Sequence, residues 1–500
     1  MPNVAFIRKD LKSVLPLYYL IRDCIDGEDK VKKAKTKYLP QPNAEDESDE
    51  NVERYKAYVE RAVFYNVTAR TLKGLVGQVF LRDPVVEIPT LLNIVNEDAN
   101  GGGVSLTQSA KKAVGYVLSQ GRAGLFVDYP ATEGVASRAQ LESGDIRPTI
   151  NIYAPWRVIN WRTKTRGAKE ILSMVVLAET YISSDDGFEA KEAEQFRVLR
   201  LGQSTENTGE NITEGEDVYT VEIWRKEGGK FGISESYQPR DSSGALLKEI
   251  PFTFIGSENN DVEIDNPPLY DLASLNIAHY RNSADYEESS FIVGQPTPYF
   301  AGLTEEWVNK VMKGTVTLGS RGAVPLPEGG SAGLLQATGN TMPFEAMQHK
   351  ERQMVALGAK LVEQSTVQRT ATEADLEATS ENSTLSSSAK NVSAAYQWGL
   401  EWCAVFVGAP ETGIKFELNT DFDLANMTPA ERQQVISEWQ AGAITFGEMR
   451  ENLRKAGVAT LDDDKAKTEI EAELEDGPNL DRGTNDGNAN SGEGDRQTEE

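Results

Sequence analysis

The feature that most constrains the fold is a change in the spacing of apolar residues near Gly121. Before it, apolar side chains return every three or four residues, which is typical of helices that pack through one face. After it, they lie in short stretches of period two separated by polar turns, which indicates antiparallel strands. These stretches are Leu125–Tyr129, Thr149–Tyr153, Arg157–Trp161, Ile171–Leu177, Gln195–Leu201, Val218–Arg225 and Ile250–Ile255. The first half of the chain is therefore predicted to be a mixed α+β domain with an antiparallel meander.

Two helical stretches are predicted ahead of the strands. Helical spacing runs from Asn51 to Leu81, where the sequence Arg82-Asp83-Pro84 ends it because proline cannot continue a helix. A second helix is predicted from Leu106 to Gln120, with Gly121 as its C-cap residue. Glycine suits that position because it adopts the left-handed conformation that commonly ends a helix.

The second half of the chain is predicted to be mainly helical. One helix is expected from Leu269 to about Val293 and another from Phe344 to Gln364, with a Gly- and Pro-rich module between them. These two helices would form the legs of a hairpin around that module. A long helix is expected from Glu373 to Val407, followed by a helical pair that begins near Pro429 and closes at Gly457.

Charge excludes one class of protein. The 500 residues include 78 acidic and 51 basic side chains, a formal net charge of −27. A protein that wraps nucleic acid with a broad surface needs many lysines and arginines to neutralise phosphates, so that class is excluded. Part of the charge lies in residues 466–500, whose composition predicts a disordered acidic tail.

Several kinds of chemistry lack the residues that they need. The chain has two histidines and two cysteines, too few for a thiolate zinc site, a disulfide framework or histidine-dependent catalysis. No P-loop, nucleophile elbow, HExxH, CxxC or EF-hand motif is present. His279 and His349 are interpreted as solvated or helix-packing, and Cys24 and Cys403 as buried apolar residues. The sequence therefore predicts no catalytic residue, cofactor or metal, and no apolar run approaches the roughly 18 to 20 residues that span a bilayer.

Four strings in the first half resemble one known family. They are Arg54-Tyr55-Lys56-Ala57-Tyr58-Val59-Glu60-Arg61-Ala62-Val63-Phe64-Tyr65-Asn66, Thr71-Leu72-Lys73-Gly74-Leu75-Val76-Gly77, Gly121-Arg122-Ala123-Gly124-Leu125-Phe126-Val127-Asp128-Tyr129-Pro130 and Ile152-Tyr153-Ala154-Pro155-Trp156. The order of elements in the second half, ending in Trp439-x-x-Gly442-x-Ile444-Thr445 and Leu453-x-x-x-Gly457, fits the same family. Over roughly residues 50–460, the chain resembles the portal proteins of tailed bacteriophages.

The resemblance implies a homo-oligomeric ring, typically of twelve subunits, at one vertex of the capsid, which passes double-stranded DNA during packaging and ejection. It implies a virion protein that is assembled in the host cytoplasm, with no membrane. It also implies a division of the chain into a wing (1–267), a first stem helix (268–294), a clip (295–343), a second stem helix (344–364), a tunnel loop (365–372), a long helix and wing (373–420), a crown (421–465) and the acidic tail (466–500).

The same resemblance implies which residues approach DNA. Gln368, Arg369 and Thr370 would lie in the tunnel loop, and the stem would contribute channel residues. The candidates for these stem positions are Asp285, Glu287, Glu288 and Lys360. Acidic side chains would keep the wall repulsive, because a basic wall would bind the closely spaced phosphates of the duplex and hold it.

The implied partners are the terminase large subunit, which would supply ATP hydrolysis, together with a head-tail adaptor and the major capsid and scaffolding proteins. Two alternatives remain open at this point. One is another virion structural protein, such as a head-tail adaptor or a minor capsid protein. The other is a metal-dependent DNA-processing enzyme that uses carboxylates, although acidic pairs such as Asp261 and Glu263 are common in so acidic a chain.

Overall fold

The computed structural model of the 500-residue chain describes most of the sequence. The described residues are 3–130, 146–203, 217–295, 297–310, 325–335, 341–361, 383–420, 422, 429–455, 458, 459, 461, 463 and 465–469. The chain divides into two compact units, Met1–Phe422 and Asp423–Glu500. Helices and antiparallel sheets are mixed in the first unit, which confirms the predicted α+β class.

The N-terminal part of the first unit is helical. Its helices are α1 (Lys9–Asp26), α2 (Glu28–Lys33), α3 (Asp49–Arg61) and α4 (Val67–Val79). The prediction of one helical stretch from Asn51 to Leu81 is wrong at its centre, because α3 ends at Arg61. The side chain of Asn66 then accepts a hydrogen bond from the backbone N–H of Ala69 and starts α4.

Helix α6 (Leu106–Gln120) has the predicted bounds, and a short helix α5 (Asn93–Glu97) precedes it. Ser105 and Gln108 form a capping box at the start of α6. Gly121 ends α6 with a φ of 75°, and an added Cβ would lie 2.8 Å from the carbonyl oxygen of Asn266. The residue after α6 must therefore be a glycine for both conformational and steric reasons.

The strands form two main sheets, where the sequence suggested one meander. The first has three antiparallel strands in the order β3-β2-β9, with β2 at Arg122–Asp128, β3 at Thr149–Tyr153 and β9 at Phe252–Gly256. Its central strand β2 is almost wholly buried because helices cover the sheet.

The second sheet is a five-stranded antiparallel meander in chain order. Its strands are β4 (Val158–Arg166), β5 (Lys169–Asp185), β6 (Ala190–Gln203), β7 (Asp217–Glu227) and β8 (Lys230–Tyr237). The sequence does not predict β8, because its residues are mostly exposed and give little apolar signal. A further two-stranded pair joins β1 (Val85–Glu87) to β12 (Lys415–Glu417).

Two further helices form the hairpin that the sequence predicted. They are α7 (Tyr270–Val293) and α9 (Met342–Lys360). The described part of the segment between them contains β10 (Thr297–Ala301), the short helix α8 (Glu305–Lys310) and β11 (Ser331–Leu335). Strands β10 and β11 pair antiparallel, with Tyr299 opposite Gly333.

Helix α10 (Thr384–Val407) packs against the three-stranded sheet and closes the core. Gly399 of α10 allows this approach, since a Cβ there would lie 3.1 Å from Leu125 of β2. Tyr396 hydrogen-bonds Ser109 of α6 over 2.7 Å, and the ring of Phe406 stacks on Tyr129 at 4.5 Å. The predicted long helix from Glu373 is described only from Thr384 onwards, and its earlier part lies outside the described residues.

The second unit contains α11 (Pro429–Gln440) and α12 (Phe446–Lys455). Thr445 caps α12, since its hydroxyl accepts from the backbone N–H of Glu448 and Glu448 accepts from the backbone N–H of Thr445. The ring of Trp439 contacts that of Phe446 at 5.8 Å between centroids, so the two helices pack through aromatic side chains. Gly457, the predicted end of the last helix, lies outside the described residues. Of the segment predicted to be a disordered acidic tail, residues 466–469 are described, and they are helical with Ala466 buried.

Candidate functional site

The α7–α9 hairpin is the candidate functional site, and three contacts show that its helices run antiparallel. His279 Nε2 lies 3.2 Å from Glu351 Oε1, Lys350 Nζ donates to Asn282 Oδ1 over 2.5 Å, and the ring centroids of Tyr286 and Phe344 are 5.7 Å apart. From contact to contact, the residue number in α7 increases while the number of its partner in α9 decreases. The module containing β10 and β11 therefore lies at the end of the hairpin where α7 ends and α9 begins.

The first half of α7 is anchored in the body of the first unit. Its fully buried Asn276 accepts hydrogen bonds from the backbone N–H and the hydroxyl of Thr68 and donates to the carbonyl of Tyr65 over 2.8 Å. Ser283 accepts from the backbone N–H of Val63 over 2.7 Å. The residues that separate α3 from α4 are thus held by α7, which explains why the helical stretch predicted there is broken.

Beyond Ala284 the residues of α7, all of them described, are exposed or half-buried. Large apolar side chains of the hairpin and its module lie in solvent in a single chain. Their exposed fractions are 45% for Phe291, 48% for Ile292, 51% for Tyr299, 62% for Leu334, 68% for Leu335, 72% for Met342, 43% for Phe344 and 72% for Val355. Exposed apolar patches of this kind mark surfaces that other molecules cover.

The acidic candidates of the stem have different surroundings. Asp285 accepts a hydrogen bond from the hydroxyl of Tyr58 over 2.6 Å, and burial together with this hydrogen bond raises the pKa of Tyr58 above its usual value. Glu288 pairs with Arg54 and Arg61 of α3, and only 14% of its side chain is exposed. Glu287 is half-buried and has no hydrogen-bond or ion-pair partner within the part of the chain that the structure describes.

The pairing of Glu288 with α3 was not predicted from the sequence. Arg54 and Arg61 are seven residues apart, a spacing that places both side chains on one face of a helix. That spacing was a usable signal for a basic stripe on α3. The partner was not readable, because Glu288 lies 227 residues beyond Arg61 in the chain.

The remaining candidates are only partly described. Lys360 is the last residue of helix α9. Gln368, Arg369 and Thr370 of the tunnel loop lie outside the described residues. Their role in approaching DNA stays a prediction.

The histidines and cysteines show no arrangement for chemistry in the described residues. His279 is 2% exposed and lies between the two helices of the hairpin. Both cysteines are fully buried, and burial raises the pKa of the Cys24 thiol to about 12 and also raises the pKa of the Cys403 thiol. Across the described ranges, no group of three or more His, Cys, Asp or Glu side chains is placed to hold a metal ion. No described helix has the length and apolar character needed to cross a membrane.

The hairpin lies within the part of the chain that matches a known family model. A family described as a domain of unknown function (DUF4055) matches residues 268–407, which is less than half of the chain. That match begins just before α7 and ends with α10, so it spans the hairpin and the helix that follows it. A comparison with curated proteins found no match.

The chain also aligns at low identity with chains of solved structures, among them the following three. A chain in "Neck of native GTA particle computed with C12 symmetry" and one in "Virion of native gene transfer agent (GTA) particle" are 15% and 16% identical, each with a TM-score of 0.40. Each match covers 77% of this chain and 89% of the other. A chain in "Neck of empty GTA particle computed with C6 symmetry" is 15% identical over 81% of this chain and 93% of its own, with a TM-score of 0.39. These TM-scores are too low to establish a shared fold.

Proposed function

We propose that this protein is the subunit of a portal, a ring at one capsid vertex through which double-stranded DNA is packaged and ejected. The observation that carries the proposal is the antiparallel α7–α9 hairpin. It is anchored in an α+β body at one end and holds a small β module at the other. The order of body, helix, module, helix and long helix is the order that the sequence resemblance implies for wing, stem, clip, stem and wing.

The exposed apolar side chains of the hairpin support a ring. Phe291 and Ile292 on α7 and Val355 on α9 lie in solvent in the single chain. Neighbouring subunits would cover them, and removal of that apolar surface from water would drive assembly. A subunit with apolar side chains on both legs of its hairpin is suited to contacts with two neighbours, as a ring requires.

The charges of the hairpin are compatible with a channel that lets DNA slide. Glu287 would keep the wall repulsive, since its carboxylate has no partner among the described residues. The charge of Glu288 is offset by Arg54 and Arg61, so Glu288 would contribute less to that repulsion. Sparse basic contacts from Arg369 and Lys360 would touch the backbone without the steep salt dependence of a basic wall.

The finer layout belongs to the same proposal. Residues 295–343 would be the clip, where a terminase large subunit and later a head-tail adaptor bind, and residues 421–465 would be the crown. Twelve subunits are proposed for the ring. Major capsid and scaffolding proteins would surround it at the vertex.

Electron microscopy of the purified protein tests the ring. We expect closed rings of one size with a central channel about as wide as a DNA duplex. Val355→Asp should abolish them and leave the thermal unfolding of the subunit unchanged, because a buried unpaired carboxylate at an interface is costly. Leu81→Asp is the matched control, since Leu81 is also exposed, at 56%, but lies just after α4 and outside the hairpin. A chain that stays monomeric, or forms rings without a channel, would contradict the proposal and favour another virion protein.

A packaging assay tests the tunnel loop separately. Arg369→Glu should lower the packaging rate or the retention of packaged DNA, because it replaces a backbone contact with a repulsive charge. Glu363→Gln, a change to a neutral side chain nearby in the sequence, serves as the control. If Arg369→Glu behaves like the unaltered protein in both measurements, the loop does not approach DNA.

A further inference from the structure

The long β5–β6 hairpin ends in a fully exposed aromatic side chain. Phe188 has a relative exposure of 103%, and the nearby Ile182 is 59% exposed. A single exposed apolar residue is ordinary on a protein surface. Phe188 is unusual because it lies at the tip of a structured turn, among acidic residues, at the end of two long paired strands.

Hydrogen bonds fix the conformation of this tip. Asp186 Oδ1 accepts from the backbone N–H groups of Phe188 over 2.9 Å and Glu189 over 2.6 Å. Asp185 Oδ1 accepts from the N–H of Gly187 over 2.8 Å, and Gly187 has a φ of 91° that favours glycine. The backbone hydrogen bonds also hold the pKa of Asp186 below its usual value. A tip that is ordered before binding loses little entropy when it binds.

A pocket on one face of the five-stranded sheet has matching properties. Its volume is about 270 Å³, and its apolar lining consists of the buried Val176 and Val198, the half-buried Met174 and Trp224, and Val4. The amide side chains of Asn3 and Asn160 complete the wall. Arg162 and Arg200, both exposed, also line it. A pocket in which apolar and aromatic side chains are combined with a few polar and charged groups is suited to an aromatic side chain that carries polar neighbours.

The charges of the tip and of the pocket are complementary. Asp185, Asp186 and Glu189 surround Phe188 in sequence. At the pocket, Arg200 pairs with Glu222 over 3.2 Å, whereas the guanidinium of Arg162 has no hydrogen-bond or ion-pair partner among the residues that the structure describes. Arg162 is therefore available to a carboxylate from another molecule, which would favour docking in one orientation.

The tip cannot reach the pocket of its own chain. Phe188 follows Val176 by twelve residues and precedes Val198 by ten, and β5 and β6 pair with each other along most of that length. At about 3.3 Å per strand residue, the tip lies roughly 30 to 40 Å from the pocket along a paired sheet. The occupant that these features fit is the tip of a second copy.

We propose that Phe188 of one subunit occupies the pocket formed by Met174, Val176, Val198 and Trp224 of a neighbouring copy, with its acidic turn against Arg162. The inference rests on the proposed homo-oligomeric ring and adds a contact between its subunits. The tip and the pocket are different surfaces, so the contact is head-to-tail, which gives a closed ring when the rotation closes.

Disulfide cross-linking of the full-length protein tests the contact. Phe188→Cys and Met174→Cys in one chain should give a ladder of covalent oligomers under mild oxidation. A mixture of the two single variants should give dimers and nothing longer. Cys24 and Cys403 are fully buried and do not interfere. Leu81→Cys with Met174→Cys is the control, since Leu81 is exposed but lies outside both the tip and the pocket, and it should stay uncross-linked.

Substitution gives a second, independent measurement. Phe188→Ala should raise the protein concentration at half-assembly about tenfold or more, since a buried phenylalanine side chain is lost from each contact. Arg162→Glu should also raise the protein concentration at half-assembly. Adding Glu189→Arg in the same chain should lower that concentration part of the way back. Thermal unfolding of the subunit should be unchanged in all of these variants.

The outcomes separate this inference from the portal proposal. Rings that form without cross-links, or in which the thiol introduced by Phe188→Cys stays reactive to a maleimide, overturn the inference and leave the portal proposal intact. In that case the tip is free for another partner. A cross-linked ladder from a protein that never closes into rings supports the contact and contradicts the portal proposal.

Discussion

Arg197 of β6 joins the two main sheets at the scale of single residues. Its side chain, 19% exposed, donates to Asp128 Oδ2 of β2 over 2.8 Å and to Glu179 Oε1 of β5 over 2.9 Å. Tyr153 of β3 donates to the same oxygen of Glu179 over 2.6 Å. One guanidinium therefore compensates two largely buried carboxylates that belong to different sheets.

Arg197→Met should lower the free energy of unfolding by about 3 kcal/mol or more at neutral pH, because it leaves both carboxylates buried without a counter-charge. Chemical denaturation measures the change. Arg166→Met is the matched control: Arg166 pairs with Glu249 at 3.7 Å with 45% of its side chain exposed, and loss of such a pair costs at most about 1 kcal/mol. Equal effects of the two substitutions would contradict this role for Arg197.

The effect of Arg197→Met should also depend on pH. Burial raises the pKa of Asp128, and the guanidinium of Arg197 opposes that rise. Without Arg197 the folded-state pKa rises further above the unfolded value, so the folded protein binds the extra proton and gains stability as pH falls. The loss of stability should be largest above the raised pKa and should shrink as pH falls towards 3.8. A penalty that is constant over this range would show that charge is not its cause.

Gly121 is a second residue on which the fold depends. Gly121→Ala should destabilise the protein by more than about 2 kcal/mol, since it strains a left-handed residue and places a Cβ against the backbone of Asp265 and Asn266. Gly115→Ala within α6 is the control, because nothing lies within 4 Å of its added Cβ. That change should be neutral or stabilising by up to about 1 kcal/mol. Thermal unfolding of both variants distinguishes the two.

At the scale of elements, α7 holds the join between α3 and α4. Asn276→Ala should cost about 2 to 3 kcal/mol, because the N–H and hydroxyl of Thr68 and the carbonyl of Tyr65 lose their partner in a buried place. Hydrogen exchange should increase at the start of α4. Asn282→Ala on the same helix is the control, since its contact with Lys350 is only partly buried, and it should cost less than about 1 kcal/mol. Unchanged exchange at Thr68 in Asn276→Ala would refute the anchoring role.

The same element shows where sequence reasoning succeeds and where it fails. The spacing of apolar residues predicted α6 and α7 closely, because each buries one face along much of its length. It failed between α3 and α4, where apolar spacing continues through the break. It also failed at β8, which is an edge strand with few buried residues. The spacing of apolar residues therefore predicts a helix or strand only where that helix or strand buries one face.

At the scale of the whole molecule, the net charge and the exposed apolar surface have opposite effects on assembly. The chain carries −27, of which residues 466–500 hold eleven acidic against three basic side chains. Assembly brings these charges together, whereas the exposed apolar side chains of the hairpin favour contact. Salt screens the repulsion and leaves the apolar term in place.

Assembly should therefore strengthen as salt rises from low ionic strength. A chain ending at residue 469, which keeps the buried Ala466, should show a weaker salt dependence than the full chain, because it lacks part of the net negative charge. Analytical ultracentrifugation over a series of salt concentrations measures both. Assembly that is equally strong at every salt concentration would show that mutual repulsion is not a significant term.

The sequence by itself determined the kind of fold, because helix and strand periods are local properties of neighbouring residues. It also determined which catalytic and metal-binding motifs the chain lacks, and it predicted the two helices of the α7–α9 hairpin. Only the tertiary structure decided that the strands form two sheets, that Glu288 pairs with α3, and that Arg197 joins Asp128 to Glu179. These contacts join segments that are far apart in the sequence and that pack around a shared core. The spacing of neighbouring residues holds no information about which distant segments meet.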